Sequence, residues 1–252
     1  MDIATFGGLI LGIGAIGVAY FLEGGQFSAV FQVPAMILVI FGTIGAATIT
    51  TSLKTLLNVP KVLKIAFSYK EHNSVETIRS IVSMAEKARR DGILGLENNL
   101  KVIRNPFLKK AVQLVVDGTE VTVLRNILEN EIDNISDRHK SGILLFQKLG
   151  GFSPTLGIIG TVLALIHALS NTDQPGRMAA SVATAFIATL WGVALANLVY
   201  LPICDKLRRR HEDEVSSLNL IMEGIVSIQS GDNPRVIKTN LMSFVHPNLR
   251  SE

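Results

Sequence analysis

Four stretches of this 252-residue chain carry almost no charge, at about residues 3–22, 34–53, 150–170 and 179–203. Each approaches the ~20 residues an α-helix needs to cross a ~30 Å hydrocarbon layer at 1.5 Å per residue. The second is the most polar of the four, because Thr48, Thr50, Thr51 and Ser52 close it. Composition agrees with a membrane chain: mean hydropathy is +0.39 and 18% of residues are charged, against about a quarter in soluble domains. The expected fold class is all-α, an integral membrane protein with four transmembrane helices and a large helical cytoplasmic domain. Buried core helices of a soluble protein are the competing explanation.

Basic residues set the expected orientation. Of 24 Lys and Arg, 16 lie between Lys54 and Lys148 and seven between Lys206 and Arg250, which leaves Arg177. Cytoplasmic loops are the Lys/Arg-rich ones, so the middle segment, the tail and both termini are expected on the cytoplasmic side of the membrane, with short outer loops at about 23–33 and 171–178. The expected divisions are residues 1–53 (first two spans), 54–149 (cytoplasmic domain), 150–203 (last two spans) and 204–252 (tail). Asp2 takes the place of a basic leader region, which argues against a cleaved signal peptide. A formal charge of +3 is explained by topology and gives no reason to expect nucleic acid. The single cysteine, Cys204, excludes a disulfide framework.

The middle segment reads as helices. Asn73-Ser74 has the form of an N-cap ahead of VETIRSIVSMAEKARR, with Gly92 as a stop. Asn105-Pro106 opens another helix, ending near Asp117-Gly118. From Thr119 the apolar residues recur helically through Val121, Leu124, Leu128, Ile132, Ile135, Ile143 and Phe146 into the third charge-free run, which predicts one long helix. The tail reads as a charged helix that loosens at Gly231 to Pro234.

Small residues crowd the spans: Gly8 and Gly12 in the first, and Ala180, Thr184, Ala188, Gly192 and Ala196 in the fourth. Such stripes let helix backbones approach closely in lipid, either between copies or within one four-helix unit. Thr161 and Thr189 lie near mid-depth, where two hydroxyls could line a narrow wet path or bond back to their own helices. His167 sits near an outer end, as a relay or simply at interfacial water. Pro154 and Pro202 stand at the inner ends of the third and fourth spans, as hinges or as helix boundaries. No Asp or Glu lies well inside any span, since Glu23 and Asp173 fall at the edges. Ion paths through membranes normally use a titratable midplane group, so an ion-conducting reading requires that another protein supply it.

These residues resemble a known family. PTLGIIGTVLALIHAL, the LEGG after the first span, TAFIATLWGVALANLVYLPI and the cytoplasmic RRDGILGLE look like the flagellar motor stator subunit of the MotA/PomA family, over nearly the whole chain. The resemblance implies an ion-driven torque generator: a ring of five copies around the membrane helices of two MotB/PomB-type partner subunits, which carry the essential aspartate. It further implies that Arg89, with Arg90 beside it, and Glu97 face the rotor's switch protein FliG, that Pro154 and Pro202 are the coupling prolines, and that Thr189 is the pore-facing hydroxyl. Thr161 stands where sodium-driven members also have threonine. The coupled ion is expected to be a proton, with sodium as the alternative. No nucleophile-base set, phosphate loop or metal-ligand cluster is apparent, so neither an enzyme nor a cofactor is expected. The competing readings are an ExbB/TolQ-like energiser of a periplasmic partner and a membrane scaffold without ion coupling.

Overall fold

The computed structural model describes residues 3–67 and 73–245. Asp2, Lys70 and Arg250, which entered the charge argument, lie outside the described residues, as does the end of the tail, 246–252. Every regular element among the described residues is helical: α1 (Ile3–Leu22), α2 (Phe27–Val30), α3 (Val33–Ile49), α4 (Leu53–Leu57), α5 (Val59–Phe67), α6 (Ser74–Asp91), a 3-10 segment (Ile93–Lys101), α7 (Pro106–Val116), α8 (Val121–Leu169), α9 (Pro175–Leu195), a π turn (Ala196–Tyr200), α10 (Leu201–Gln229) and α11 (Pro234–Met242). Residues 1–69 with 139–209 form one compact unit, and 70–138 with 210–252 another. The compact division therefore assigns 54–69 and 139–149 to the unit that holds the apolar helices.

In that first unit, α1, the apolar part of α8 and α9 are long and apolar enough to span a membrane. The expected second span is shorter than anticipated: α3 covers 17 residues and stops at Ile49, not 53. The polar end explains the difference. Thr48 donates its hydroxyl to the Ile44 carbonyl at 2.7 Å and Thr50 to the Ala47 carbonyl at 2.9 Å, while Ser52 already caps α4 by accepting from the Thr55 N–H. The first helix stops at Ile49 and the serine starts the next.

Pro154 does not begin a helix; it lies inside α8, which runs unbroken for 49 residues. The fourth span behaves differently at its proline. Pro202 has no N–H to donate to Leu198, and the chain just before it widens into the π turn, where Leu201 N–H reaches Ala196 O. Relaxation of the helical ladder ahead of a missing donor is an ordinary cause of such a turn.

The second unit has a conventional apolar core. Ile78, Ile81, Met84 and Ala85 of α6 recur on one helical face and pack with Leu96, Leu124, Leu128, Ile221, Ile225, Ile237 and Leu241. The caps read from sequence form: Asn73 accepts from Glu76 N–H, and Asn105 from Phe107 and Leu108 N–H. The tail does more than loosen. Gly231 turns it at φ 79°, Asn233 caps α11, and α11 packs against α6. Gly224 is required by that packing, because a Cβ there would fall 2.7 Å from Ile81 Cγ2.

Arg125 of α8 holds Glu223 of α10 through two hydrogen bonds of 2.6 and 3.0 Å. The Glu223 carboxylate raises the guanidinium pKa above its ordinary value and keeps it charged. The pair is about a third exposed, so its contribution is screened to about 1 kcal/mol. Arg125→Glu is expected to lower the unfolding midpoint of the detergent-solubilised protein, and adding Glu223→Arg to restore most of it. Additive losses in thermal melts would show that the pairing does not contribute.

Candidate functional site

Two helix backbones of the apolar unit touch where α8 meets α9. Gly157 of α8 faces Ala188, Thr189 and Gly192 of α9: a Cβ on Gly157 would lie 3.0 Å from Ala188 O, and one on Gly192 2.7 Å from Ser153 O and 3.0 Å from Gly157 Cα. No side chain separates the helices there, and Ser153, fully buried, donates to Gly192 O at 2.9 Å. The stripe on α9 is thus used within the chain at Ala188, Gly192 and Ala196, which are buried, whereas Ala180 is exposed.

That contact sets the hydroxyls together. Thr161 Oγ1 and Thr189 Oγ1 are hydrogen-bonded across the two helices. Thr161 Oγ1 also lies 3.0 Å from Ala185 O and 3.1 Å from Gly157 O. A hydroxyl donates one proton and accepts on two lone pairs. The carbonyls can only accept, so Thr161 donates to one of them and Thr189 donates to Thr161. The result is a short polar chain, half-buried, that keeps acceptor capacity on the Thr189 oxygen. Thr161 bonds back to its own helix at Gly157 O and also pairs with Thr189 across the crossing.

The other singled-out residues fall elsewhere. His167 is exposed near the end of α8, its backbone carbonyl accepting from Asn171 Nδ2 at 2.7 Å. Pro154 follows Ser153 in α8 and is half-buried, and Pro202 is exposed just beyond the π turn. Glu23 and Asp173 are both exposed and lie outside every helix of the apolar unit. In the second unit, Arg89, Arg90 and Glu97 are all exposed around one corner. Gly92 makes the turn at φ 78°. Lys87 Nζ donates to Asn99 Oδ1 at 2.8 Å, and Leu96 is fully buried. The 3-10 segment is therefore pinned on both sides of Glu97, which is exposed, as are Arg89 and Arg90 in the last turn of α6.

The chain is 32% identical to Motility protein A of Borreliella burgdorferi, over all of this chain and 97% of that protein. The chain belongs to the Motility protein A family. A family model described as Motility protein A N-terminal matches residues 6–92, and one described as the MotA/TolQ/ExbB proton channel family matches residues 99–219. Chemotaxis protein PomA of Vibrio alginolyticus is 35% identical over all of this chain and 98% of its own length. Among solved structures, C. jejuni MotAB matches with a TM-score of 0.92 at 32% identity, covering 99% of this chain and 98% of that one. The flagellar MotAB stator complex from Bacillus subtilis matches with a TM-score of 0.90 at 32% identity, covering 97% and 96%.

The paired threonines, Ser153, Gly157 and Gly192 all lie in the segment matched by the channel-family model. Sequence reasoning missed Ser153 and Gly157, which hold the two threonines in register. The signal available was the spacing SxxxG in the third span against AxxxG in the fourth, small residues at matching four-residue intervals. It also missed Trp191, whose indole N–H donates to Val30 O at 2.9 Å; nothing local in the sequence marks that bond.

Proposed function

We propose that this chain, with a MotB-type partner that carries the membrane aspartate, couples ion flow to torque on the flagellar rotor. It is a flagellar stator subunit, a multi-pass protein of the inner membrane. In the proposal several copies, five by family resemblance, ring two partner helices with both termini in the cytoplasm, and the chain itself carries out no covalent chemistry. The observation that carries the reading is the Thr161–Thr189 pair, set between two spans by backbone contact with no carboxylate of the chain inside either span. Hydroxyls can solvate a passing ion but cannot bind and release charge by titration, so the division of labour with a partner follows. Co-purification from native membranes tests it: the expected companion has one span with a buried aspartate, and a chain that conducts ions alone in liposomes would overturn the proposal.

The coupled ion is proposed to be a proton, in keeping with the description of the matching channel family. Sodium is favoured by one specific observation, the convergence of two hydroxyls and the Ala185 and Gly157 carbonyls, because a dehydrated sodium needs several oxygen ligands whereas a proton needs a hydrogen-bonded path. Swimming that persists in sodium-free medium and stops with a protonophore is expected for the proton reading, and the reverse for sodium.

Arg89, Arg90 and Glu97 are proposed to meet opposite charges on FliG, as weak, steered, salt-screened contacts. Arg89→Glu with Glu97→Lys is expected to reduce torque in tethered-cell assays several-fold while the complex assembles normally. A single exposed ion pair is worth about 1 kcal/mol or less, so either change alone is expected to act weakly. Wild-type torque in the double variant would remove these residues from the rotor contact.

A further inference from the structure

On the Leu22 half of α1, a groove of about 330 Å³ opens between that helix and the chain from Leu190 to Val199. Its wall is apolar and aromatic, with Ile16, Tyr20, Phe27, Phe31, Trp191 and Leu198 its main contributors. Phe31 and Trp191 pack with ring centroids 5.8 Å apart, and Tyr20 and Phe27 with theirs 6.2 Å apart. Beside the groove α1 comes close to the neighbouring chain at a glycine: a Cβ on Gly12 would lie 3.2 Å from Leu198 Cδ2.

We infer that this groove holds one acyl chain of a membrane phospholipid. Three observations choose this occupant over a polypeptide or a polar ligand. The Trp191 N–H already donates to Val30 O at 2.9 Å and the Tyr20 hydroxyl to Gln26 O at 3.4 Å, so the two polar groups of the wall are consumed by the protein itself. The groove is flanked by residues of two spans, where the surrounding solvent is hydrocarbon. Its volume is about twice the roughly 150 Å³ of an apolar cavity that takes up benzene, which suits several methylenes of a flexible chain. Burying them there gives dispersion contacts on aromatic faces that bulk lipid does not offer.

Trp191 is the chain's one tryptophan and reports on the groove directly. The test uses the complete stator complex reconstituted in phosphatidylcholine with brominated acyl chains, with a Trp191→Phe complex to subtract other emission. Trp191 emission is expected to be quenched at least about two-fold more than in complexes whose groove is filled by Ala194→Phe or, separately, Gly17→Leu, since an apolar pocket binds only while its volume is open. Gly17 has room for a side chain, its Cβ position meeting only the Phe27 ring at 3.7 Å, so this second variant is available should Ala194→Phe fail to assemble. Equal quenching in native and filled complexes would overturn the inference. So would quenching by aqueous acrylamide in place of bromolipid, or disulfide formation between Ile16→Cys of one copy and Leu190→Cys of another, which would show the groove closed by a second copy.

Discussion

Gly192→Val is expected to abolish swimming and to lower the amount of assembled protein in the membrane. The valine Cβ alone would sit 2.7 Å from the Ser153 carbonyl oxygen and 3.0 Å from Gly157 Cα. Both are backbone atoms, so no side chain can swing aside; α8 and α9 must separate. Forced overpacking costs about 1–3 kcal/mol, and the Ser153 hydrogen bond to Gly192 O is lost with it, leaving a fully buried hydroxyl unsatisfied at a further cost of about 1–3 kcal/mol. The larger consequence is functional. Thr189 lies one turn from Gly192, and its bond to Thr161 depends on the same close approach. Gly192→Ala, which adds only the Cβ, is expected to give an intermediate loss. Quantitative immunoblotting of membranes with swimming speed distinguishes the cases, and wild-type speed for the valine variant would show that the backbones need not touch.

Replacing both hydroxyls, Thr161→Val with Thr189→Val, is expected to leave assembly intact and to cut ion flow by at least about tenfold. Valine has nearly the shape of threonine, so the crossing is retained. A hydrogen bond to a charged group is worth about 1.5–3 kcal/mol, and each 1.36 kcal/mol of barrier is tenfold in rate. Loss of one such bond to a passing ion therefore predicts a fall of roughly 10- to 100-fold. Thr189→Val alone is expected to carry most of the loss, because Thr189 keeps acceptor capacity while Thr161 spends its proton on a carbonyl. Flux into liposomes holding the complex, with co-purification of the partner as the assembly control, measures both. Undiminished flux in the double variant would place the path elsewhere.

Local chemistry was legible where one residue does one job. Asn73 and Asn105 announced their helices because an N-cap needs only a side chain and the next three residues. The same logic applied to Asn233-Pro234, where the sequence reading saw only loosening; the capping pair was present, but α11 earns its stability from contact with α6, far away in sequence. The threonines at the end of the second span do not mark where it stops, because hydroxyls bonded to carbonyls of the preceding turn, as at Thr48 and Thr50, also occur in mid-helix at Thr184. Thr161 and Thr189 were placed at similar depth by counting, yet their bond rests on Gly157 and Gly192 meeting across the hairpin, which no periodicity records. Pro154 shows the limit from the other side. Proline commonly marks a helix start, and here the helix passes through it.

The π turn before Pro202 stores one surplus residue in the fourth membrane helix. Removing a residue elsewhere in that helix would rotate everything downstream by about 100° and turn buried Ile203, Cys204 and Leu207 away from their neighbours. Removing one between Ala196 and Tyr200 would tighten the wide turn into ordinary helix and leave both flanks aimed as before. Length variation among related proteins should accordingly collect at this point, which serves as the slack in an otherwise inextensible rod.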